Sequence, residues 1–246
     1  MKPVASPFRA ELFVPLFAGR TRIGWLRPEL AARLGAWPKV FKSSFEKVTL
    51  LDPAAIAPVV EELAQEGFIP GWRNERYRIA DLFEIERAAA RPFGVTTTAV
   101  HVNGIVGGGK MWLARRASTK AIDPGLLDNL VGGGLTAGLS PEDLLVKEAW
   151  EEAGIPAELA RTATRGGTAN ILREVPEGVQ SEVIHVFDLE LPASFQPRNQ
   201  DGEVSEFLLV AFDRVAREEL TLEAQLAVKD YFSRATVPSA TPVRSP

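Results

Sequence analysis

The sequence predicts a mixed α/β (α+β) chain in two folded parts. Three observations carry this: alternating apolar stretches that read as strands occur in both halves, helical periodicities lie among them, and "ARPFG" at residues 90–94 interrupts the pattern. The first part, residues 1–94, is expected to be a small α+β unit. In it "ELFVPLFAGRTRIGWL" and "RYRIADLF" alternate as strands, and "LDPAAIAPVVEELAQEGF" reads as a helix begun near Asp52 and ended by Gly67. The second part, residues 95–235, sets the strands "VTTTAVHVNG", "KMWLARRA", "EVIHVFDLEL" and "EFLLVAFDRV" around a capped helix at 141–153 and a last helix over "LEAQLAVKDYFSRA". From 236 to 246 the Pro, Ser and Thr content reads as a disordered tail.

At 246 residues the chain can bury a sizeable core. Its formal net charge of -4, with no dense Lys/Arg run, argues against nonspecific nucleic-acid binding but leaves room for a basic pocket holding a small anion. Cysteine is absent, which excludes disulfides, thiolate nucleophiles and cysteine zinc sites; with His101 and His185 the only imidazoles, a metal is expected on oxygen ligands. No apolar run approaches about 18 residues and the first stretch does not read as a signal peptide, so the expectation is a cytoplasmic protein without a membrane partner.

Chemistry concentrates in "VGGGLTAGLSPEDLLVKEAWEEAGI", residues 131–155. Ser140 is a good N-cap, Pro141 suits the first turn, Asp143 completes a capping-box pattern and Gly154 is placed to stop the helix. At about 100° per residue, Leu145, Val146, Ala149, Trp150 and Ala153 form a packing side, while Glu148, Glu151 and Glu152 share a separate arc. The carboxylates sit toward the helix C-terminus, where the macrodipole already disfavours negative charge. Lys147 can pair with Glu151 but does not offset all three, whereas a divalent cation would. The alternative is an ordinary solvated acidic face. The preceding Gly132, Gly133, Gly134 and Gly138 let backbone approach an anion or turn a carbonyl toward a metal.

This segment resembles the Nudix box, a loop-helix-loop that binds metal and diphosphate. Gly133, Glu148, Glu151, Glu152, Gly154 and Ile155 occupy family positions, whereas Leu139 stands where a glutamate is usual and Lys147 replaces an arginine, without that residue's planar fork. The resemblance implies a Nudix-type mixed-sheet α/β/α sandwich after the small N-terminal domain. Further stretches, "GWRNERYRI", "ERAAARPFGV", "HVNG", "MWLARR", "PGLLDNLVGGG", "LELP" and "NQDGEV", resemble the subfamily related to the Nudix partner domain of fungal thiamine pyrophosphokinase. Members of that subfamily are associated with hydrolysing oxidised thiamine diphosphate to the monophosphate, a metabolite repair. A homodimer is implied by family habit alone.

The resemblance assigns Glu148, Glu151 and Glu152 to catalysis and, with the carbonyl of Gly133, to Mg2+, for which Mn2+ could substitute. Glu203 and Glu182 are both open as general base. The ligand, a small organic diphosphate, is expected near Arg115, Arg116 and Lys120, with strand alternation turning one arginine toward it and the other to solvent. Gly133 and Gly134 offer backbone, and Trp112 and His101 either meet a heteroaromatic ring or belong to the core. Trp72 and Arg73 read as interdomain or ligand-enclosing. Three function classes compete: a hydrolase of oxidised thiamine diphosphate or of a nucleoside-diphosphate derivative, a catalytically weakened diphosphate-binding module, and an isopentenyl-diphosphate-isomerase-like enzyme, against which the missing cysteine counts.

Overall fold

The computed structural model describes residues 8–120 and 122–235. The expected disordered tail at 236–246 lies outside the described residues. The fold is the expected mixture of helices and sheets, and the described residues fall in two compact units: 8–100 with Gly133–Leu144 and Asn170–Ile184, and His101–Gly132 with Leu145–Ala169 and 185–235.

In the first unit β1 (Val14–Ala18), β2 (Thr21–Leu26), β3 (Phe41–Ser43) and β4 (Val48–Leu50) form a sheet of order β2-β1-β4-β3, in which β1 and β4 run parallel. The stretch read as alternating divides into β1 and β2 at the Gly19 turn, where φ is +58°. Helix α1 (Pro28–Arg33) starts on Pro28 at its first position, which loses no needed N–H there. Helix α2 (Ile56–Gln65) follows a 3-10 turn in which Asp52 accepts from the Ala54 N–H, and it buries Ile56, Val59, Val60 and Leu63. That spacing is one apolar stripe. The predicted alternation over "RYRIADLF" is the hairpin β5 (Arg76–Ile79) and β6 (Phe83–Glu86). A short α3 (Ala90–Phe93) ends at Gly94.

A seven-stranded sheet is built from β7 (Thr96–Val106), β8 (Lys110–Arg116), β9 (Leu127–Asn129), β10 (Val131–Gly134), β11 (Thr164–Val175), β12 (Gly178–Leu191) and β13 (Val204–Ala211). Its order is β11-β12-β7-β8-β13, with β10 beside β7 and β9 beside β8. The helices are α4 (Pro141–Ala153), α5 (Ala157–Ala160), α6 (Phe212–Val215) and α7 (Leu222–Ala235). In the second unit Met111 and Leu113 of β8 pack with Leu127, Val210, Ala224 and Val228. Alternation therefore turns Ala114 and Arg116 to the opposite face of β8, where the site forms. Among the described residues no helix is long and apolar enough to cross a membrane.

Gly94 is a tight backbone joint of the first unit. Its φ is +56°, and a Cβ there would stand 2.3 Å from the Trp25 carbonyl oxygen. Gly94→Ala combines a left-handed conformation with a backbone clash and is expected to cost about 2 kcal/mol or more, read as a lower urea midpoint with an unchanged m-value.

Candidate active site

Helix α4 covers the predicted residues. The Ser140 hydroxyl accepts from the Asp143 N–H at 3.1 Å and donates to the Asp143 carboxylate at 2.6 Å, closing the cap. Gly154, at φ +63°, ends the helix. Leu145, Ala149 and Ala153 are buried, but Trp150, expected on the packing side, is 55% exposed, and Val146 is half-buried. The apolar stripe is thus narrower than the sequence pattern, because small alanines, not the indole, make the close approach.

The three glutamates meet different surroundings. Glu152 is 7% exposed and accepts the Gly132 N–H at 2.8 Å. Glu148, one turn earlier, is mostly buried and takes one bond from Lys147 at 3.0 Å. Glu151 is more open and pairs with Lys147 at 2.6 Å, the predicted i,i+4 pair. Of the three only Glu152 lines the recess described below; Glu148 is mostly buried beside Lys147, and Glu151 is the open member of the arc.

Burial pushes the Glu152 carboxyl up to about 8; the Gly132 N–H and Lys120 oppose that rise, and the charges of Glu148 and Asp128 add to it. Burial also raises Glu148, against Lys147 and with help from Glu151 and Asp201. Asp201 is raised by burial too. Burial works against the Lys147 charge, but its bonds to Glu151 and Glu148 outweigh it and hold the ammonium above its ordinary value.

Glu152 lines a recess with Arg116, Lys120, Asp128, Asn129 and Glu203. Lys120 is ion-paired to Glu203. Arg116 bonds Asp128 at 3.0 Å and the Ile122 carbonyl at 2.9 and 3.1 Å. Arg115 turns away to Glu206 and the Gly125 carbonyl, so of the two arginines one faces the recess.

Asp128 and Asn129 were missed as site residues, although Asp-Asn between Leu127 and Leu130 of an apolar strand is a signal of buried polar work. Asp128 accepts from Arg116, the Thr221 hydroxyl and the Asn129 N–H.

His101 and Trp112, for which a place against a ligand ring or in the core was open, are 6% and 7% exposed and do not line the recess. His101 bonds Asn129 at 2.9 Å and packs on the bare backbone of Gly132. Asn129 continues to Asn103, and Asn103 to Asp188, a buried polar chain behind the site. Trp112 keeps a buried indole N–H without a hydrogen-bond partner. Glu182 belongs to the other unit, where it accepts from Gln180 and Thr97. Gly133 and Gly134 close β10, and Gly134 packs against Tyr77.

Among the described residues no cluster of three or more His, Asp or Glu stands ready as a metal cage. The donors nevertheless fit magnesium, which uses one or two carboxylates beside waters and substrate phosphates. Glu152 and Glu148 are the two, withdrawn from water and unfavourably charged without a cation.

These features define a class of protein. The chain belongs to the Nudix family: the NUDIX domain matches residues 95–231, more than half of the chain, and residues 3–97 match a domain of unknown function (DUF4743). Over 171 residues it is 42% identical to Nudix hydrolase 20, chloroplastic, of Arabidopsis thaliana, covering 66% of this chain and 46% of that protein. Nudix hydrolase 24, chloroplastic, of the same plant is 43% identical over 171 residues, covering 66% and 47%. The chain thus spans about half the length of the curated relatives it matches. Among solved structures, DR0079 of Deinococcus radiodurans superposes with a TM-score of 0.49 at 20% identity, over 64% of this chain and 99% of that one.

Two outcomes follow for the protein without metal. Asp128→Ala strips Arg116 of a buried partner and is expected to cost about 3 kcal/mol in denaturant unfolding, against under about 0.5 kcal/mol for Arg115→Ala at the exposed rim. The raised Glu152 carboxyl stabilises the fold below pH 4.5, its ordinary value, and that contribution is lost as pH rises to about 8. Glu152→Gln should therefore flatten the fall in thermal midpoint across this window, measured in EDTA; an identical fall in both proteins would place the carboxylate in water.

Proposed function

We propose that the chain is a metal-dependent Nudix hydrolase that cleaves a diphosphate linkage, with oxidised thiamine diphosphate, converted to the monophosphate and phosphate, as its substrate. The observation that carries the hydrolase reading is the inner carboxylate pair: Glu152 buried on the Gly132 N–H, and Glu148 one turn away, beside a recess that also holds Arg116 and Lys120.

Hydrolysis of a diphosphate needs its oxygens neutralised, a water in line with one phosphorus, and a group to take that water's proton. Glu148 and Glu152 would hold the divalent cation, with the Gly133 carbonyl as a further donor. That cation, when bound, neutralises phosphate oxygens and makes water more acidic. Arg116 presents a planar fork and Lys120 a point charge for the phosphates. The Glu203 carboxylate, already at the recess, accepts the proton from water, which favours it over Glu182 as base. Asp128, itself held by the Asn129 N–H and the Thr221 hydroxyl, orients Arg116.

The thiamine assignment is supported by the order of motifs from "GWRNERYRI" to "NQDGEV" that resembles the thiamine-linked subfamily. One observation favours the binding module instead: Lys147, where the family has arginine, pairs with both Glu148 and Glu151 and so neutralises part of the metal-binding face.

The deciding assay is phosphate release with magnesium, offering oxothiamine diphosphate, thiamine diphosphate, ADP-ribose and common nucleoside diphosphates to the wild type and Glu152→Gln. The expected result is preference for the oxidised thiamine compound and loss of turnover in the variant without loss of fold. Preference for a nucleotide would keep the hydrolase and discard thiamine, full activity of the variant would remove Glu152 from the chemistry, and tight binding without turnover would select the module.

A further inference from the structure

The loop between β10 and α4 is tied to the helix at both ends. Just before it, within β10, the Gly132 N–H holds Glu152, and at its end Ser140 caps the first turn. Between those points lie residues whose own side chains do little to fix a conformation, Gly133, Gly134, Ala137 and Gly138 among them. β10 is paired with β7, and the Leu135 N–H donates to the Thr98 carbonyl at 2.8 Å; what fixes the loop beyond Leu135 comes from the N-terminal part of the chain.

Tyr77 forms a backbone bridge to Thr136, and the Ala137 N–H donates to the Arg76 carbonyl at 2.8 Å. The Thr136 hydroxyl donates to the Glu75 carboxylate at 3.1 Å. A Cβ at Gly134 would stand 2.0 Å from the Tyr77 hydroxyl oxygen and 2.8 Å from Cζ, so the phenol lies directly on bare glycine backbone. Three consecutive residues thus grip the loop by main chain, by a side-chain hydrogen bond and by ring packing. Residues 75–77 fall in the segment matched by the domain of unknown function, at 3–97, whereas the loop falls in the NUDIX match, at 95–231.

The gripping segment is itself rigidly built. Buried Glu86 accepts the N–H groups of Arg73, Glu75 and Ala88 at 2.8, 3.2 and 3.3 Å, which fixes the turn before β5. Arg87 bonds the Glu75 carboxylate at 2.6 Å and lies 5.8 Å over the Tyr77 ring. Tyr77 is 7% exposed and belongs to the N-terminal core. Glu75 is therefore presented to Thr136 by a braced element and not by a free surface chain.

We infer that Glu75, Arg76 and Tyr77 are positioning residues for the active-site loop, so that the N-terminal domain sets the backbone whose Gly132 N–H orients Glu152. The inference rests on the hydrolase reading for its catalytic consequence, but not for the clamp itself. Orientation of reacting groups is steep in distance: a misplacement of about 1 Å costs on the order of 100-fold in rate. A loosened loop lowers kcat, because Glu152 loses its orienting donor, while the phosphate-binding side chains of the recess, and with them KM, stay in place.

The test uses Thr136→Val, which deletes the hydroxyl and keeps the shape, Thr136→Ser, which keeps the hydroxyl, and Gly134→Ala alone and with Tyr77→Leu. Amide hydrogen exchange is followed at Gly132, Leu135 and Ala137 in the full chain without metal, and kcat and KM are measured with magnesium and oxothiamine diphosphate. In Thr136→Val, exchange at Ala137 and Gly132 should rise about 10-fold, kcat should fall about 10- to 100-fold, and KM should stay within about 2-fold. Thr136→Ser should restore both, and Tyr77→Leu should return part of what Gly134→Ala loses, by making room for the new methyl group. Unchanged exchange at Gly132 in Thr136→Val overturns the clamp, and raised exchange with unchanged kcat overturns its catalytic consequence. If the wild type cleaves none of the diphosphates the hydrolase reading fails, and exchange at Gly132 still decides whether Thr136 holds the loop.

Discussion

The bond from the Gly132 N–H to the Glu152 carboxylate is the constraint around which the site is arranged. A carboxylate taken out of water loses more than one neutral N–H returns, so Glu152 sits far above its ordinary pKa and the charges of Glu148 and Asp128 press in the same direction. Natural proteins tolerate such local cost where function needs it. On the hydrolase reading proposed above, a divalent cation would offset that cost by supplying the counter-charge the buried carboxylate lacks.

Around that carboxylate the other charges are arranged in pairs. Arg116 is spent on Asp128 and Lys120 on Glu203, so the recess presents no loose cation on its own, and the two pairs hold their members at fixed points. Asp128 is the hinge of this arrangement, since it also takes Thr221 and its own neighbour's N–H. Behind it, His101, Asn129, Asn103 and Asp188 form a buried chain of hydrogen bonds. A fully satisfied polar chain stiffens its surroundings, which suits a floor beneath charges that must not relax toward one another.

How much of this was legible depends on whether the cause was local. Helix α4 spans Pro141–Ala153, as its capping residues predict, because Ser140, Pro141 and Gly154 act within a turn of themselves. The last helix, Leu222–Ala235, was legible from its own periodicity, whereas over "RYRIADLF" only the alternation was legible and not the turn that makes it the hairpin of β5 and β6. The Lys147–Glu151 pair followed from spacing alone. Trp150 was misplaced because helical angle says which residues share a side, not which neighbour is near enough to cover them; alanines face the packed side and the indole is left out.

The sequence by itself determined the helices at 141–153 and 222–235, several of the strands, the family and the three glutamates at helical spacing, since propensity, capping and periodicity are properties of a few adjacent residues; β11 (Thr164–Val175) and the short strands β3, β4, β9 and β10 carried no such local signal. Only the tertiary structure decided that Glu152 lines the recess while Glu148 and Glu151 both pair with Lys147, that His101 and Trp112 are interior, and that Asp128 and Asn129 join the recess. It also brought Tyr77 onto Gly134 across a long stretch of chain. Burial and pairing depend on which segments arrive from elsewhere in the chain, and no local pattern encodes the identity of a residue fifty or more positions away.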